Sequence, residues 1–115
     1  MTGPERRGRA QGAKAAKLQN ALHELDPRLA DWADGFIFGD VWDSEHLEFR
    51  EQMLVAITAL AATGKTRQLK NYLHGALQDG ISADTLRDAL RMLVVYCGFP
   101  TAIDALSELD KAVSR

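Results

Sequence analysis

The chain has 115 residues and a formal net charge of −2, which fits one compact domain and provides no overall positive field for nucleic acid. A single cysteine excludes a disulfide framework and any CxxC redox or zinc motif. No apolar run approaches the roughly 18 residues of a membrane-spanning helix, and no apolar signal region opens the sequence. We therefore expect a cytoplasmic protein without a membrane or nucleic-acid partner. The three histidines share no metal-ligand spacing, so no metal site is predicted.

The first residues are predicted to form a flexible basic N-terminal arm, residues 1–11. Gly3, Pro4 and Gly8 disfavour a stable helix there. The first 20 residues carry one acid, Glu5, against five bases. These are Arg6, Arg7, Arg9, Lys14 and Lys17. Such an arm is typically solvated, and the alternative is contact with a phosphate or a neighbouring subunit.

Residues 12–115 are predicted to form a single all-α domain of about six helices. Glycine, proline and capping residues separate segments whose apolar residues recur at three and four positions. Asp26 before Pro27 marks one helix start, and Ser82 marks another. No alternating strand pattern is present. The predicted helices cover residues 13–24, 27 to about 39, 47–63, Thr66–Gln78, 82–97 and 101–113.

Three expectations concern burial. The helix at 47–63 should be buried nearly all round, because apolar residues occupy most of its faces. The last helix should turn Ile103, Leu106 and Leu109 inward. Cys97, on an apolar face before Gly98, should be a small buried hydrophobe.

Three short motifs, in order and without large gaps, resemble the carboxymuconolactone decarboxylase family of the alkyl hydroperoxidase D-like superfamily. They are Phe38-Gly39-Asp40-Val41-Trp42, Leu47-Glu48-Phe49-Arg50 and Tyr96-Cys97-Gly98-Phe99-Pro100. The resemblance covers about residues 22–112. It implies an all-helical subunit that forms a homotrimer or homohexamer. It also implies a lyase of aromatic catabolism that decarboxylates 4-carboxymuconolactone without a metal or organic cofactor.

The chain departs from the superfamily where reactive residues usually stand. The peroxidase branch has a Glu, two Cys and a His at positions that are Met53, Lys65, Gln68 and Tyr72 here. The decarboxylase branch usually keeps that His, and it also tends to have a second basic residue where this chain has Gln52. Three functions therefore remain open. They are a lyase acting on a small cyclic carboxylate, a ligand-binding protein without catalysis, and a divergent hydroperoxide reductase that uses Cys97.

The lyase hypothesis assigns roles to six residues around a site between subunits. Arg50 would hold a substrate carboxylate, Tyr72 would donate a proton or hydrogen bond, and His46 would be a spare base. Phe38, Trp42 and Tyr96 would form an apolar wall around the bound substrate. Structural roles are the alternative: an ion pair for Arg50, a core position for Tyr72 and a packing role for Trp42.

Overall fold

Every regular element among residues 1–114, the part of the chain that the computed structural model describes, is helical. The predicted all-α fold is therefore confirmed. A 3-10 turn covers Gly12–Lys14, and a π-helical segment covers Ala33–Val41. The α-helices are α1 Gly3–Gln11, α2 Ala15–Leu25, α3 Pro27–Trp32, α4 Phe49–Ala62, α5 Thr66–Gln78, α6 Ala83–Arg91, α7 Leu93–Tyr96 and α8 Phe99–Val113. Among the described residues, no helix has the length and apolar character needed to cross a bilayer.

The local signals for helix starts and ends are mostly confirmed. The Asp26 carboxylate accepts a hydrogen bond from the Arg28 N–H, 3.0 Å, at the start of α3. The Ser82 hydroxyl accepts one from the Thr85 N–H, 3.1 Å, at the start of α6. Helix α5 spans the predicted residues, and Gly64 before it adopts a φ of +72°, a conformation that favours glycine. These boundaries depend on neighbouring residues alone and are visible in the sequence.

The core lies where α4, α5, α6 and α8 meet. Each helix contributes a narrow stripe of buried apolar residues spaced three or four apart. The fully buried residues of this cluster include Met53, Ile57, Leu73, Leu86, Leu90 and Leu109.

Two burial predictions for the helices need correction. Helix α4 is not buried all round: Met53, Ile57 and Ala61 face the core, but Val55 is 59% exposed. In α8, Leu109 is buried as predicted, whereas Ile103 is exposed. The buried stripe of α8 is made largely of alanines, which sequence hydrophobicity ranks below isoleucine. Small side chains let helices approach closely, which explains why they occupy the contact face.

Cys97 is exposed, so the prediction that it is a buried hydrophobe is wrong. It follows the short helix α7, and Gly98 then turns the chain with a φ of +94°. The chain therefore leaves the core between Leu93, which is buried, and Ala102, which is buried again. The apolar run at 94–99 projects outward instead of continuing one long helix.

The first residues form a packed helix, which differs from the flexible arm expected from the sequence. Ala10 is fully buried, and a Cβ on Gly75 of α5 would lie 1.8 Å from the Ala10 carbonyl oxygen. Arg7 Nε donates to the Asp34 carboxylate at 2.7 Å. Arg6 donates to the Phe38 carbonyl oxygen at 2.9 Å. The basic residues thus bind partners from distant segments of the same chain, which local composition cannot reveal.

The sequence predicts that the helix starting at Pro27 ends at about Gly39, but helical structure continues to Val41. From Ala33 it widens into the π-helical segment, and the Trp42 N–H donates to the Ile37 carbonyl oxygen at 2.9 Å, a step of five residues. A Cβ on Gly39 would lie 2.5 Å from the Asp34 carbonyl oxygen. Glycine at this position therefore permits the wide turn.

Candidate functional site

Trp42 directly follows the π-helical segment, and a loop separates it from the start of α4 at Phe49. Its backbone N–H is held by Ile37, as described above, and its carbonyl oxygen accepts a hydrogen bond from Gln52 Nε2 at 2.9 Å. The Glu48 N–H donates to the Glu51 carboxylate at 2.8 Å, which fixes the first turn of α4. The main chain of Trp42 is therefore held from both sides, by the π-helical segment and by α4.

Four rings surround this point and form the aromatic cluster, which consists of Phe38, Trp42, Phe49 and Tyr72. The Trp42 ring lies 5.2 Å from the Phe38 ring, 6.2 Å from the Phe49 ring and 6.4 Å from the Tyr72 ring, measured between centroids. All three pairs are tilted, an arrangement that aromatic rings favour. The motif residues Phe38 and Trp42 are thus brought together with Tyr72.

A cavity of about 290 Å³ opens beside Trp42, and we call it the Trp42 cavity. Its lining is mostly apolar, with the Ser44 hydroxyl and the Gln52 amide as polar side-chain groups. Its volume is near the lower end of known ligand pockets. The lining residues are Val41, Trp42, Ser44, Leu47, Gln52, Val55 and Ala56.

Arg50 does not line this cavity. Its Nη2 donates to the Thr85 hydroxyl of α6 at 3.1 Å. Residues two apart in an α-helix are separated by about 200° of rotation about the helix axis, so Arg50 and Gln52 lie on opposite faces of α4. The pairing of Arg50 with Asp40 or Glu51, the structural alternative, is not formed among the described residues.

Tyr72 lies behind the Trp42 ring and is not among the residues that line the cavity. It is partly buried and packs against the hydrophobic core. Burial raises the pKa of the Tyr72 phenol, and an interaction with Gln11 of α1 opposes part of that rise. The phenol therefore stays protonated at neutral pH, where it can donate a hydrogen bond but cannot act as a base.

The remaining predicted site residues are spread apart. His46 is exposed in the loop between Ser44 and Leu47, two residues that line the Trp42 cavity, but it is not itself among the lining residues. Tyr96 is 77% exposed at the end of α7 and forms no ring contact with the aromatic cluster among the described residues. Phe38 is almost fully buried, so it supports Trp42 from below and does not reach a ligand.

The positions of the superfamily's reactive residues do not form a site in this chain. Met53 is fully buried in the core, while Lys65 and Gln68 are exposed at the start of α5. In residues 1–114 no three His, Cys, Asp or Glu side chains lie together in a way that could hold a metal ion. The Trp42 cavity is therefore the place where motif residues and an accessible volume coincide.

Two other cavities contain none of the predicted site residues. One, of about 300 Å³, lies between the α4–α5 turn and the start of α8 and includes Thr63, Thr66 and Asp104. The other, of about 430 Å³, is an open hollow between α5 and the end of α8. Neither contains a residue of the aromatic cluster.

Ser44 and Gln52 were not among the residues that the sequence assigned to the site. Both are neutral, and a search for charged or nucleophilic side chains passes over them. The sequence nevertheless contains a signal. Gln52 follows the Leu47–Arg50 motif by two residues, and an amide side chain on a largely apolar helix needs a hydrogen-bond partner.

Comparisons with known proteins agree with the motifs. The profile of the carboxymuconolactone decarboxylase family matches residues 27–111. A nitrosuccinic acid decarboxylase of Metarhizium robertsii is 24% identical over 104 residues, which cover 84% of this chain and 70% of the relative. A 4-carboxymuconolactone decarboxylase of Acinetobacter baylyi is 26% identical over 89 residues, which cover 77% of this chain and 66% of the relative. The chain thus spans about two thirds of the length of these relatives.

Proposed function

We propose that this chain, which belongs to the carboxymuconolactone decarboxylase family, decarboxylates a small carboxylate bound in the Trp42 cavity. The observation that carries the proposal is the mostly apolar lining beside Trp42, with the Ser44 hydroxyl and the Gln52 amide at its polar positions. Both curated relatives described above are decarboxylases by name. For the substrate we propose a small cyclic carboxylate of the kind found in aromatic catabolism.

The chemistry asks little of the protein. The carbon–carbon bond to the carboxylate breaks, carbon dioxide leaves, and the electron pair passes to an electron-withdrawing group of the substrate. A proton then returns to carbon. The names of both relatives describe acids that carry such a group, a nitro group or a lactone. We therefore propose a cofactor-free reaction in which an apolar wall favours loss of the charged carboxylate as neutral carbon dioxide.

The proposed roles follow from the lining. The Ser44 hydroxyl and the Gln52 amide would receive the carboxylate, and Trp42 would cover the ring of the substrate. His46, in the exposed loop that also carries Ser44, would deliver the proton to carbon. Tyr72 would support the indole from behind. Arg50 would reach a cavity only across a subunit boundary, since it lies on the other face of α4 in its own chain.

Self-association fits the open side of the cavity. Val41, Leu47 and Val55 line the cavity yet are 58%, 45% and 59% exposed. A second apolar surface lies at Val95, Tyr96 and Phe99. Two separate apolar surfaces on one chain suit a closed ring of copies, and we propose a homotrimer or homohexamer whose neighbouring subunit covers the cavity.

The test is carbon dioxide release from 4-carboxymuconolactone and from nitrosuccinic acid, with Trp42→Ala and the exposed-residue control Trp32→Ala. We expect turnover that Trp42→Ala abolishes while the helical circular dichroism spectrum is retained. Equal turnover in Trp42→Ala would overturn the assigned cavity. Arg50→Ala is informative in addition: lost turnover would indicate a contribution from the neighbouring subunit, and unchanged turnover assigns carboxylate binding to Ser44 and Gln52.

A second candidate function is ligand binding without catalysis. The observation in its favour is that Met53, Lys65, Gln68 and Tyr72 replace the superfamily's reactive residues. A binding protein should gain thermal stability with a small carboxylate, by an amount that grows with ligand concentration, and yet release no carbon dioxide. Turnover above the rate of the Trp42→Ala variant excludes this alternative.

A further inference from the structure

One guanidinium of α1 binds the chain on both sides of Trp42. Arg6 Nη1 donates to the carbonyl oxygen of Phe38, before Trp42, at 2.9 Å. Arg6 Nη2 pairs with the carboxylate of Asp43, directly after Trp42, at 3.1 Å. The Arg6 side chain is only 16% exposed, so the guanidinium is packed in place and is not free in solvent. Arg6 therefore links the π-helical segment to the residue that precedes Ser44 of the cavity lining.

The Phe38 carbonyl needs a donor from outside the π-helical segment. The Trp42 N–H donates to the Ile37 carbonyl oxygen, and the next N–H along the chain donates to that of Asp40 at 3.1 Å. The backbone donors that follow Phe38 at helical spacing are thus directed to other carbonyls. Carbonyl groups at the end of a helix have no intrahelical donor, and basic side chains often satisfy them. Arg6 has this role where the wide turn ends.

Helix α1 holds Arg6 in a defined place against the segment. The Thr2 hydroxyl caps the helix by accepting from the Glu5 N–H at 3.2 Å. A Cβ on the buried Gly3 would lie 1.9 Å from the Asp34 carbonyl oxygen, so the two backbones are in direct contact. The guanidinium is therefore carried by a helix that is itself fixed to the segment that it binds.

We propose that Arg6 is a positioning residue for the Trp42 cavity. It holds the main chain on both sides of Trp42, and so fixes the indole and Ser44 relative to each other, without lining the cavity itself. Arg6 precedes residues 27–111, the part of the chain that matches the family profile. The inference rests on the proposed function for the role of the cavity, but the position of Trp42 can be measured without any turnover.

Arg7 provides a matched control for a general effect on α1. It is the next residue of the helix, its side chain is 11% exposed, and its Nε donates to the Asp34 carboxylate at 2.7 Å. It therefore binds the same π-helical segment near the start, away from Trp42. A general weakening of α1 should follow from substitution of either arginine, whereas a change at Trp42 should follow only from substitution of Arg6.

The position of Trp42 can be followed by its fluorescence in the whole chain. The chain has two tryptophans, so Trp32→Phe, at an exposed position, leaves Trp42 as the single reporter. The measurements are the emission maximum and the quenching by acrylamide, in proteins whose circular dichroism shows equal helix content. We expect Arg6→Ala to raise the quenching constant about twofold or more and to shift the emission to longer wavelength. Arg7→Ala should leave both unchanged.

Two milder variants keep the test decisive if Arg6→Ala does not fold. Arg6→Lys retains the charge, but one ammonium lacks the fork of a guanidinium and should hold only one of the two partners. Asp43→Asn removes the ion pair and leaves the bond from Arg6 to Phe38. Each should give a quenching constant above that of the Trp32→Phe protein, by a smaller factor than a complete loss of the bridge.

Kinetics give a second readout with any substrate that the protein decarboxylates. The Ser44 hydroxyl is proposed to bind the carboxylate, so its displacement should weaken substrate binding more than the chemical step. We expect Arg6→Ala, or Arg6→Lys in its place, to raise KM about fivefold or more and to change kcat by a smaller factor. Arg7→Ala should leave KM unchanged.

Three results would overturn the inference: an unchanged quenching constant in the folded Arg6 variants, an equal rise in Arg7→Ala, or an unchanged KM in those Arg6 variants. The outcome is separate from that of the proposed reaction. A protein in which only the Arg6 variants loosen Trp42, but which releases no carbon dioxide, keeps this inference and loses the decarboxylase proposal. Turnover that requires Trp42, with quenching that is insensitive to Arg6, does the reverse.

Discussion

The guanidinium carbon of Arg9 lies 3.9 Å from the ring centroid of Phe49. The same guanidinium donates two hydrogen bonds to the Asp79 carboxylate, at 2.9 and 3.2 Å. Phe49 is in turn 6.2 Å from Trp42. One residue of α1 therefore joins the end of α5 to the aromatic cluster around Trp42.

Arg9→Ala should destabilise the protein moderately. It removes a cation–π contact of about 0.5–1 kcal/mol and an ion pair of similar or smaller value, since the Arg9 side chain is 44% exposed. We expect a loss of about 1 kcal/mol in the free energy of unfolding, measured by urea denaturation. Arg67→Ala is the control, because Arg67 is exposed and pairs with no acid among residues 1–114. Equal effects of the two changes would contradict the role of Arg9.

Two glycines in neighbouring helices should respond in opposite ways to alanine. In Gly75→Ala the new Cβ would lie 1.8 Å from the Ala10 carbonyl oxygen, so α1 must move, at a cost of about 1–3 kcal/mol. In Gly8→Ala the Cβ meets nothing within 4 Å, and the helix should gain about 0.5–1 kcal/mol. Thermal melts of both variants measure the difference. A flexible arm at residues 1–11 would make Gly75→Ala harmless.

Stability should fall at alkaline pH because of Tyr72. Burial raises the pKa of this phenol above its ordinary value of 10.0, so the unfolded chain releases the proton first as pH rises. The contribution of Tyr72 to the free energy of unfolding is complete below the pKa of the phenol in the unfolded chain. It is lost as pH rises through the raised pKa of the folded protein. Urea denaturation from pH 8 to 11 should show this decline, and Tyr72→Phe should reduce it. Tyr96→Phe, at the exposed tyrosine, should retain it.

Cys97 should react in the folded protein. The thiol is exposed between α7 and α8, so a thiol-specific reagent such as Ellman's should modify it without denaturant in dilute solution. Because Tyr96 and Phe99 lie beside it on an apolar surface, the reaction should slow as protein concentration rises if a second copy covers that surface. Modification that requires unfolding at every concentration would indicate that the thiol is buried.

The parts of the fold that the sequence predicted are those determined by adjacent residues. Gly64 and the apolar spacing define α5, and Asp26 and Ser82 mark helix starts through their own side chains. Helix α1 was missed because its arginines find partners far along the chain. Arg7, for example, bonds to Asp34, 27 residues away. Helix formation there depends on tertiary contacts, which outweigh the low propensity of glycine.

The candidate site was predicted in part. The motifs led to Trp42 and to the start of α4, and Phe38 and Tyr72 do lie in the same aromatic cluster as Trp42. Proximity in sequence does not show which face of α4 a residue occupies: Gln52 lines the Trp42 cavity, whereas Arg50 donates to Thr85 on another face, and its role in a site between subunits stays a prediction. The direction of Trp42 could not be foreseen either, because it depends on the π-helical segment before it.

The wide turn at Ala33–Val41 makes chain length itself a determinant of the cavity. A π-helical turn accommodates a residue that an α-helical turn would not, so the segment behaves like an α-helix with an insertion. Deleting one residue between 33 and 41, such as the exposed Gly35, would remove that extra residue and permit ordinary α-helical bonding, so the five-residue hydrogen bond from the Trp42 N–H to the Ile37 carbonyl oxygen would be lost. One of the two backbone hydrogen bonds that position Trp42 would then be gone, even though every side chain of the cavity lining was still present.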